Sequence, residues 1–206
     1  MDKSIQEIPT KKFPPPSIVP KADIKGMEHH SLKSDLAWLY STGALTDTKL
    51  VASTHTFFAH SQILGARSLV FRAMFSTDME ERSTKTVHIS DLDSQTVSRM
   101  LVFMYTDILE DVEWERACDL YYAADKYDIR SLKFRCLCFL KKNLSDSNAC
   151  KTLILADRHR DKDLEMTAQE YILMSKKIIL SDEWKDLMES NLQLAARTMY
   201  LNWKIF

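Results

Sequence analysis

The sequence predicts an α+β fold in which a short β-sheet with a helical cluster is followed by an all-α extension. Three observations lead there. Strand-type runs come early, at 49–53, 56–59 and 86–89, while helical periodicity dominates after Asp93. All five prolines stand within the first twenty residues. The whole chain carries only three glycines, Gly26, Gly43 and Gly65, so little interrupts helices in the remainder.

Taken in order, residues 1–30 mix Pro, Lys, Ser and Thr without periodicity and read as a flexible or polyproline-like leader, closed by the solvated pair His29-His30. Leu32, Leu36, Leu39 and Tyr40 then recur at i, i+4, i+7 and i+8, which predicts a helix whose apolar stripe needs a partner. After the first two strands, residues 60–76 read as one helix, with Leu64, Phe71 and Phe75 on one face and Ile63, Val70 and Met74 beside it. So apolar a helix belongs near the centre of a core. Beyond the third strand, helices are expected at about 94–105, 113–125, 129–142, 146–158, 162–176, 181–188 and 191–203.

With 206 residues, 45% hydrophobic and 28% charged, the composition is that of an ordinary globular chain of one or two domains. A net charge of -1 excludes binding to nucleic acid or anionic lipid through bulk charge. No apolar run reaches membrane-spanning or signal-peptide length, so the chain is expected to stay inside the cell, in nucleus or cytoplasm, with reduced thiols. Phosphate-cradling glycine loops are absent. Charge alternates along the second half: residues 107–128 hold eight acids and two bases, and residues 129–142 hold five bases and no acid. Solvated faces of opposite sign are the simpler reading, and an electrostatic docking face the sharper one. In the basic segment Leu132, Phe134, Leu137 and Leu140 recur at helical spacing, which reads as core rather than a nucleic-acid surface.

Cys136-x-Cys138 with His159 lacks the spacing of a zinc finger or knuckle, and both cysteines read as buried structural residues. A Cys-His hydrolase would need a cysteine beside His60, His88 or His159, with a third group orienting the base. His60 reads as a residue at the head of a helix and His159 as one at a helix end. Neither enzyme activity nor a cofactor is expected.

The run Ala59-His60-Ser61-Gln62-Ile63-Leu64-Gly65-Ala66-Arg67-Ser68, continuing through Val70-Phe71-Arg72-Ala73-Met74-Phe75, resembles the signature of a BTB/POZ domain. Leu45-Thr46-Asp47, Phe103-Met104-Tyr105-Thr106 and Ala123-Ala124-Asp125-Lys126-Tyr127 stand at the matching distances. Ala73-Met74-Phe75 with Met79-Glu80-Glu81, and Leu153-Ile154-Leu155-Ala156-Asp157 with His159, are similar to the speckle-type POZ group. The last run resembles the start of a BACK-type extension. The organisation implied is a leader at 1–30, a BTB/POZ domain at 31–142 and a BACK-like extension at 143–206.

That resemblance implies a non-catalytic, dimeric adaptor that presents an unknown protein substrate to a cullin-3 ubiquitin ligase for ubiquitination and degradation. Dimer-interface positions carried over are Leu32, Leu36 and Leu39, with Ile63 beneath them; the partner is a second copy or a related BTB protein. An uncovered leucine stripe on a terminal helix agrees. The cullin-binding pattern of a hydrophobic residue, any residue, then Glu is met by Met79-Glu80-Glu81, expected on a loop. Tyr105 and Asp107 are expected near the same docking face.

Three departures qualify the resemblance. The family's Tyr-Thr-Gly is Tyr105-Thr106-Asp107 here and a hairpin glycine is replaced by Thr54, which stiffens both turns. Ser61 beside Asp47 replaces the Lys or Arg that completes a charged pocket in transcription factors of this superfamily, which ranks a ligase role above corepressor recruitment. The leader is too short for a MATH domain, so target recruitment falls to the leader, to the BACK helices or to dimerisation with full-length relatives, unless the chain is incomplete. The alternative function is a dimerisation scaffold or transcription-associated module that heterodimerises without recruiting a ligase.

Overall fold

The computed structural model describes residues 31–53, 55–109 and 112–205, the last four by backbone alone. The leader with His29-His30, the hairpin residue Thr54, and Glu110 and Asp111 of the acidic segment lie outside the described residues. The chain forms two compact units, one running to Asp111 and including Lys126–Leu132, the other comprising Val112–Asp125 and the chain from Lys133 onward.

The first unit carries the sheet. Its elements are α1 (Leu32–Thr42), β1 (Thr48–Ala52), β2 (His55–Ala59), α2 (Ser61–Arg67), α3 (Leu69–Ser76), α4 (Glu80–Thr84), β3 (Thr86–Ile89) and α5 (Ser94–Thr106). Strand order is β2-β1-β3. The hairpin pairs Leu50 with Phe57 antiparallel, and β3 lies parallel to β1 with Leu50 opposite Val87. A parallel pair needs a long crossover, which here is the chain from α2 through α4. Alternation along β1 sends Thr48, Leu50 and Ala52 inward and Lys49 outward. Val87, Ile89, Leu64, Phe71, Met100 and Leu101 are also fully or almost fully buried.

The helix expected over 60–76 is two helices. Ser68, 1% exposed, leaves the helical region at φ -139 and ψ 126. Its hydroxyl accepts the Phe71 N–H and donates to the Tyr127 carbonyl, so it starts α3 while tying it to a distant turn. Phe71 stacks on Tyr127 with ring centroids 4.8 Å apart, the central burial expected of this segment.

The second unit is helical: α6 (Trp114–Lys126), α7 (Arg130–Lys142), α8 (Ala149–Arg158), α9 (Lys162–Met174), α10 (Lys176–Ile179), α11 (Asp182–Ser190) and α12 (Leu192–Ile205), where α6 ends and α7 begins on residues of the first unit. Its core gathers Leu153, Ala168, Ile172, Trp184, Leu187 and Leu194. The start expected at 146 moves to Ala149 because the Asn148 side chain accepts the Ser145 N–H and donates to the Asn143 carbonyl, building a turn instead. The helix expected over 162–176 ends at Met174, and α10 follows as a separate short turn.

Cys138 is exposed rather than buried, while Cys136 is buried, so the two thiols do not converge. The basic charges of α7 are partly spoken for: Lys133 pairs with Asp125 at 2.6 Å and Lys141 with Asp163 at 2.5 Å. Among the described residues no helix is long and apolar enough to cross a membrane.

Candidate functional site

Helix α1 is built to stand on the surface. Ser31 and Ser34 form a reciprocal capping box at its start, and Gly43 ends it at φ 64 with its N–H donating to the Leu39 carbonyl. None of its residues is buried. Leu32 is 76% exposed and Trp38 58%, while Leu36, Leu39 and Ile63 are half-buried. The inward side rests on α5. There burial pushes the Tyr40 phenol up to about 12 against a hydrogen bond with Ser98. An apolar outer stripe remains, the feature from which the sequence placed a dimer seam.

The ring of His60 clamps the loop after α1. Nε2 lies 2.7 Å from the Ala44 carbonyl, which can only accept, so the proton sits on Nε2 and Nδ1 accepts from the Tyr105 hydroxyl, also at 2.7 Å. That hydroxyl accepts the His60 backbone N–H at 2.9 Å in return. Tyr105 is therefore not docking surface: it is 2% exposed, and it positions the α1–β1 loop. Sequence reasoning expected Tyr105 near the docking face, but the side chain is buried. Beside the clamp, Ser61 gives both its N–H (2.7 Å) and its hydroxyl (2.5 Å) to Asp47. Burial works against that carboxylate, but the two bonds from Ser61 hold it below the usual carboxylate range. Where the resemblance implies a Lys or Arg, the neutral Ser61 hydroxyl here meets the ionised Asp47.

Asp107 does reach the surface, its side chain 54% exposed. It ends α5 at φ 56, taking the left-handed position itself, and its carboxylate pairs with Arg67 at 2.6 Å. The Arg67 guanidinium also lies over the Phe103 ring at 5.6 Å. The described polar contacts of Tyr105 and Asp107 thus go to His60 and to Arg67 of α2, not to Met79-Glu80-Glu81.

The Met79-Glu80-Glu81 segment is not a loop throughout. Met79 is extended at φ -95, ψ 157 and immediately precedes α4, whose first turn holds Glu80 and Glu81. Met79 is 44% exposed, and Asp78 before it pairs with Arg82 at 2.9 Å. Carboxylates in a first helical turn are favoured by the backbone dipole, and an exposed methionine is an adaptable apolar anchor.

In the helical unit, His159 closes α8 and its Nδ1 meets Asp125 at 2.7 Å; Lys133 meets the other oxygen of that carboxylate at 2.6 Å. Burial opposes ionisation of Asp125, but Lys133 and His159 hold it below the usual range. Tyr121 donates to Asp161 at 2.5 Å. Burial and that carboxylate push the Tyr121 phenol upward, and the Tyr121 bond in turn counters burial at Asp161 and keeps it ionised. Sequence reasoning missed this cluster, whose members lie 34 and 40 residues apart. Burial pushes the Cys118 and Cys136 thiols up to about 12 and Cys150 to about 11, away from nucleophilic thiolate. Among the described residues no group of three or more His, Cys, Asp or Glu side chains could hold a metal ion.

The BTB/POZ domain family matches residues 36–144. Similar curated proteins from Mus musculus include TD and POZ domain-containing protein 4, 38% identical over 172 residues, which are 82% of this chain and 46% of that one. TD and POZ domain-containing protein 5 is 40% identical over 164 residues, 79% of this chain and 48% of the relative. TD and POZ domain-containing protein 1 is 40% identical over 169 residues, 81% and 46% of the two chains. The chain spans about half the length of the curated relatives it matches. The likeness is thus to TD and POZ domain-containing proteins, not to the speckle-type POZ group that the motifs suggested.

Proposed function

This chain belongs to the BTB/POZ domain family, and from that premise we propose that it is a dimeric adaptor that binds cullin-3 and supports ubiquitination of a protein substrate inside the cell, in nucleus or cytoplasm. In this reading residues 31–142 are the BTB/POZ domain and 143–206 a BACK-like extension; the adaptor performs no catalysis and needs no cofactor. The observation that carries the ligase half is Met79, 44% exposed at the head of α4 with Glu80 and Glu81 in the turn behind it. An apolar anchor backed by carboxylates suits a partner helix that offers an apolar pocket and N–H or basic donors. Asp107, exposed and paired with Arg67, belongs to the same contact in this reading, where an acid in place of the family's glycine weakens the contact or shifts its salt dependence.

Calorimetry of the full chain against the cullin-3 N-terminal domain tests this. Sub-micromolar binding that is lost in Met79→Ala/Glu81→Ala is the expected result. A well-folded dimer that does not bind would leave the alternative, a dimerisation scaffold or transcription-associated module that pairs with related BTB proteins.

Dimerisation rests on the outer stripe of α1 with Leu32, Leu36 and Leu39, and on Ile63 beneath it. Leu36→Asp would place an ion in that seam at a cost of several kcal/mol. Light scattering is expected to show monomers or aggregates; an unchanged dimer would remove the seam.

A further inference from the structure

We propose that Thr77 is a phosphoacceptor for an acid-directed protein kinase and that its modification shuts the neighbouring docking segment; the second half rests on the cullin reading above. Thr77 is exposed and extended at φ -94, ψ 172, where the chain leaves α3, and Met79 is extended as well. The hydroxyl is followed by Asp78, Glu80 and Glu81, acids at the first, third and fourth positions after it. The Asp78 side chain is 100% exposed and Glu80 is exposed. A kinase cleft lined with basic side chains would read that spacing by charge complementarity.

A second stretch of the chain carries a similar pattern and lacks the geometry. Ser90-Asp91-Leu92-Asp93 also places acids at the first and third positions. There, however, Leu92 is only 6% exposed, Asp93 caps α5 by accepting the Thr96 N–H, and Asp91 is bonded to Lys126 at 2.6 Å. That stretch is held by the core at its centre and cannot enter a cleft without unpacking. The 77–79 stretch presents three consecutive exposed residues.

In the transfer, the Thr77 Oγ1 attacks the γ-phosphorus of ATP. The new O–P bond forms as the bond to the β–γ bridging oxygen breaks; ADP leaves with that electron pair and the hydroxyl proton passes to the kinase base. The ester removes the hydrogen bond that the Thr77 hydroxyl donates to the Ala73 carbonyl at 2.6 Å. It also sets a charge of about -2 at the negative end of α3, beside Asp78 and two residues from Met79. Like charges then crowd the segment that a partner must approach.

The test incubates the full chain with ATP and casein kinase II and locates phosphate by mass spectrometry. One phosphate at Thr77, absent from Thr77→Val and strongly reduced in Asp78→Asn/Glu80→Gln, is expected. No phosphate at Thr77 overturns the proposal: if a synthetic peptide of residues 70–85 is labelled, the folded segment is closed to the kinase, and if it is not, the acids are not read. Calorimetry against the cullin-3 N-terminal domain then compares modified and unmodified chain. Binding at least about tenfold weaker after modification supports the shutting role; equal binding overturns it. If the unmodified chain does not bind at all, the docking reading and the shutting role fall together, while the phosphate at Thr77 still establishes the modification site.

Discussion

Two histidines hold the two units by opposite chemistry. In the sheet-bearing unit, His60 sits in a circuit in which the Ala44 carbonyl takes one ring nitrogen and the Tyr105 hydroxyl the other, with no ionised partner. In the helical unit, His159 leans on an ionised Asp125 that also serves Lys133, while its Nε2 is buried with no hydrogen-bond partner among the described residues. The difference teaches where pH should act. The His60 clamp has no carboxylate partner, whereas a carboxylate-centred clamp survives only while that carboxylate is ionised.

Of the two clamps, the larger effect is expected at Asp125. Asp125→Ala leaves both His159 and Lys133 without the partner they share, and because the carboxylate is about one-third exposed the loss is discounted to about 2 kcal/mol. The pH dependence has a definite sign. A carboxyl held below its unfolded value contributes stability that is fully present above about pH 4 and is lost as pH falls through the folded value. Hydrogen exchange of α8 and α9 should therefore show wild type and Asp125→Ala far apart at neutral pH and converging in acid. A gap that persists below the carboxylate range would mean that packing of Asp125, not its charge, holds the helices.

Tyr105→Phe probes the other side of the comparison. It strips the acceptor from the His60 N–H and the donor from its Nδ1 while keeping the ring that packs against Tyr40 at 5.0 Å. A loss of about 1–2 kcal/mol in thermal unfolding is expected. Unchanged thermal unfolding would show that the circuit does not hold the α1–β1 loop.

How far the sequence alone reached follows from the range of its signals. The stripe of Leu32, Leu36 and Leu39 and the alternation in β1 and β3 are local periodicities, and they emerged where expected. Ser68 was hidden because apolar residues continue on both sides of it; its hydroxyl as a helix cap was the one available cue. Helix α4 was invisible because Arg82, Ser83 and Thr84 give five residues no apolar face. Both histidine clamps join residues too distant in sequence for periodicity to report: Tyr105 is 45 positions from His60 and Asp125 is 34 from His159. Exposure was equally illegible, since motif position placed Tyr105 and Asp107 side by side on one face and only burial separates them.

Asp107 carries the smallest expected change in stability, because two terms oppose each other there. Restoring the family's glycine by Asp107→Gly relieves a non-glycine residue at φ 56, a gain of about 1 kcal/mol. The same change removes a half-exposed ion pair with Arg67 that contributes between about 0 and 1 kcal/mol. Thermal stability should thus move by less than about 1 kcal/mol, and high salt, which screens only the pair, should make the variant relatively more stable. A loss well beyond that would mean that Arg67, whose Nε is buried without a hydrogen-bond partner among the described residues, depends on Asp107 to stay seated over Phe103. Asp107 would then belong with the positioning residues beside Tyr105 rather than with exposed surface such as Met79.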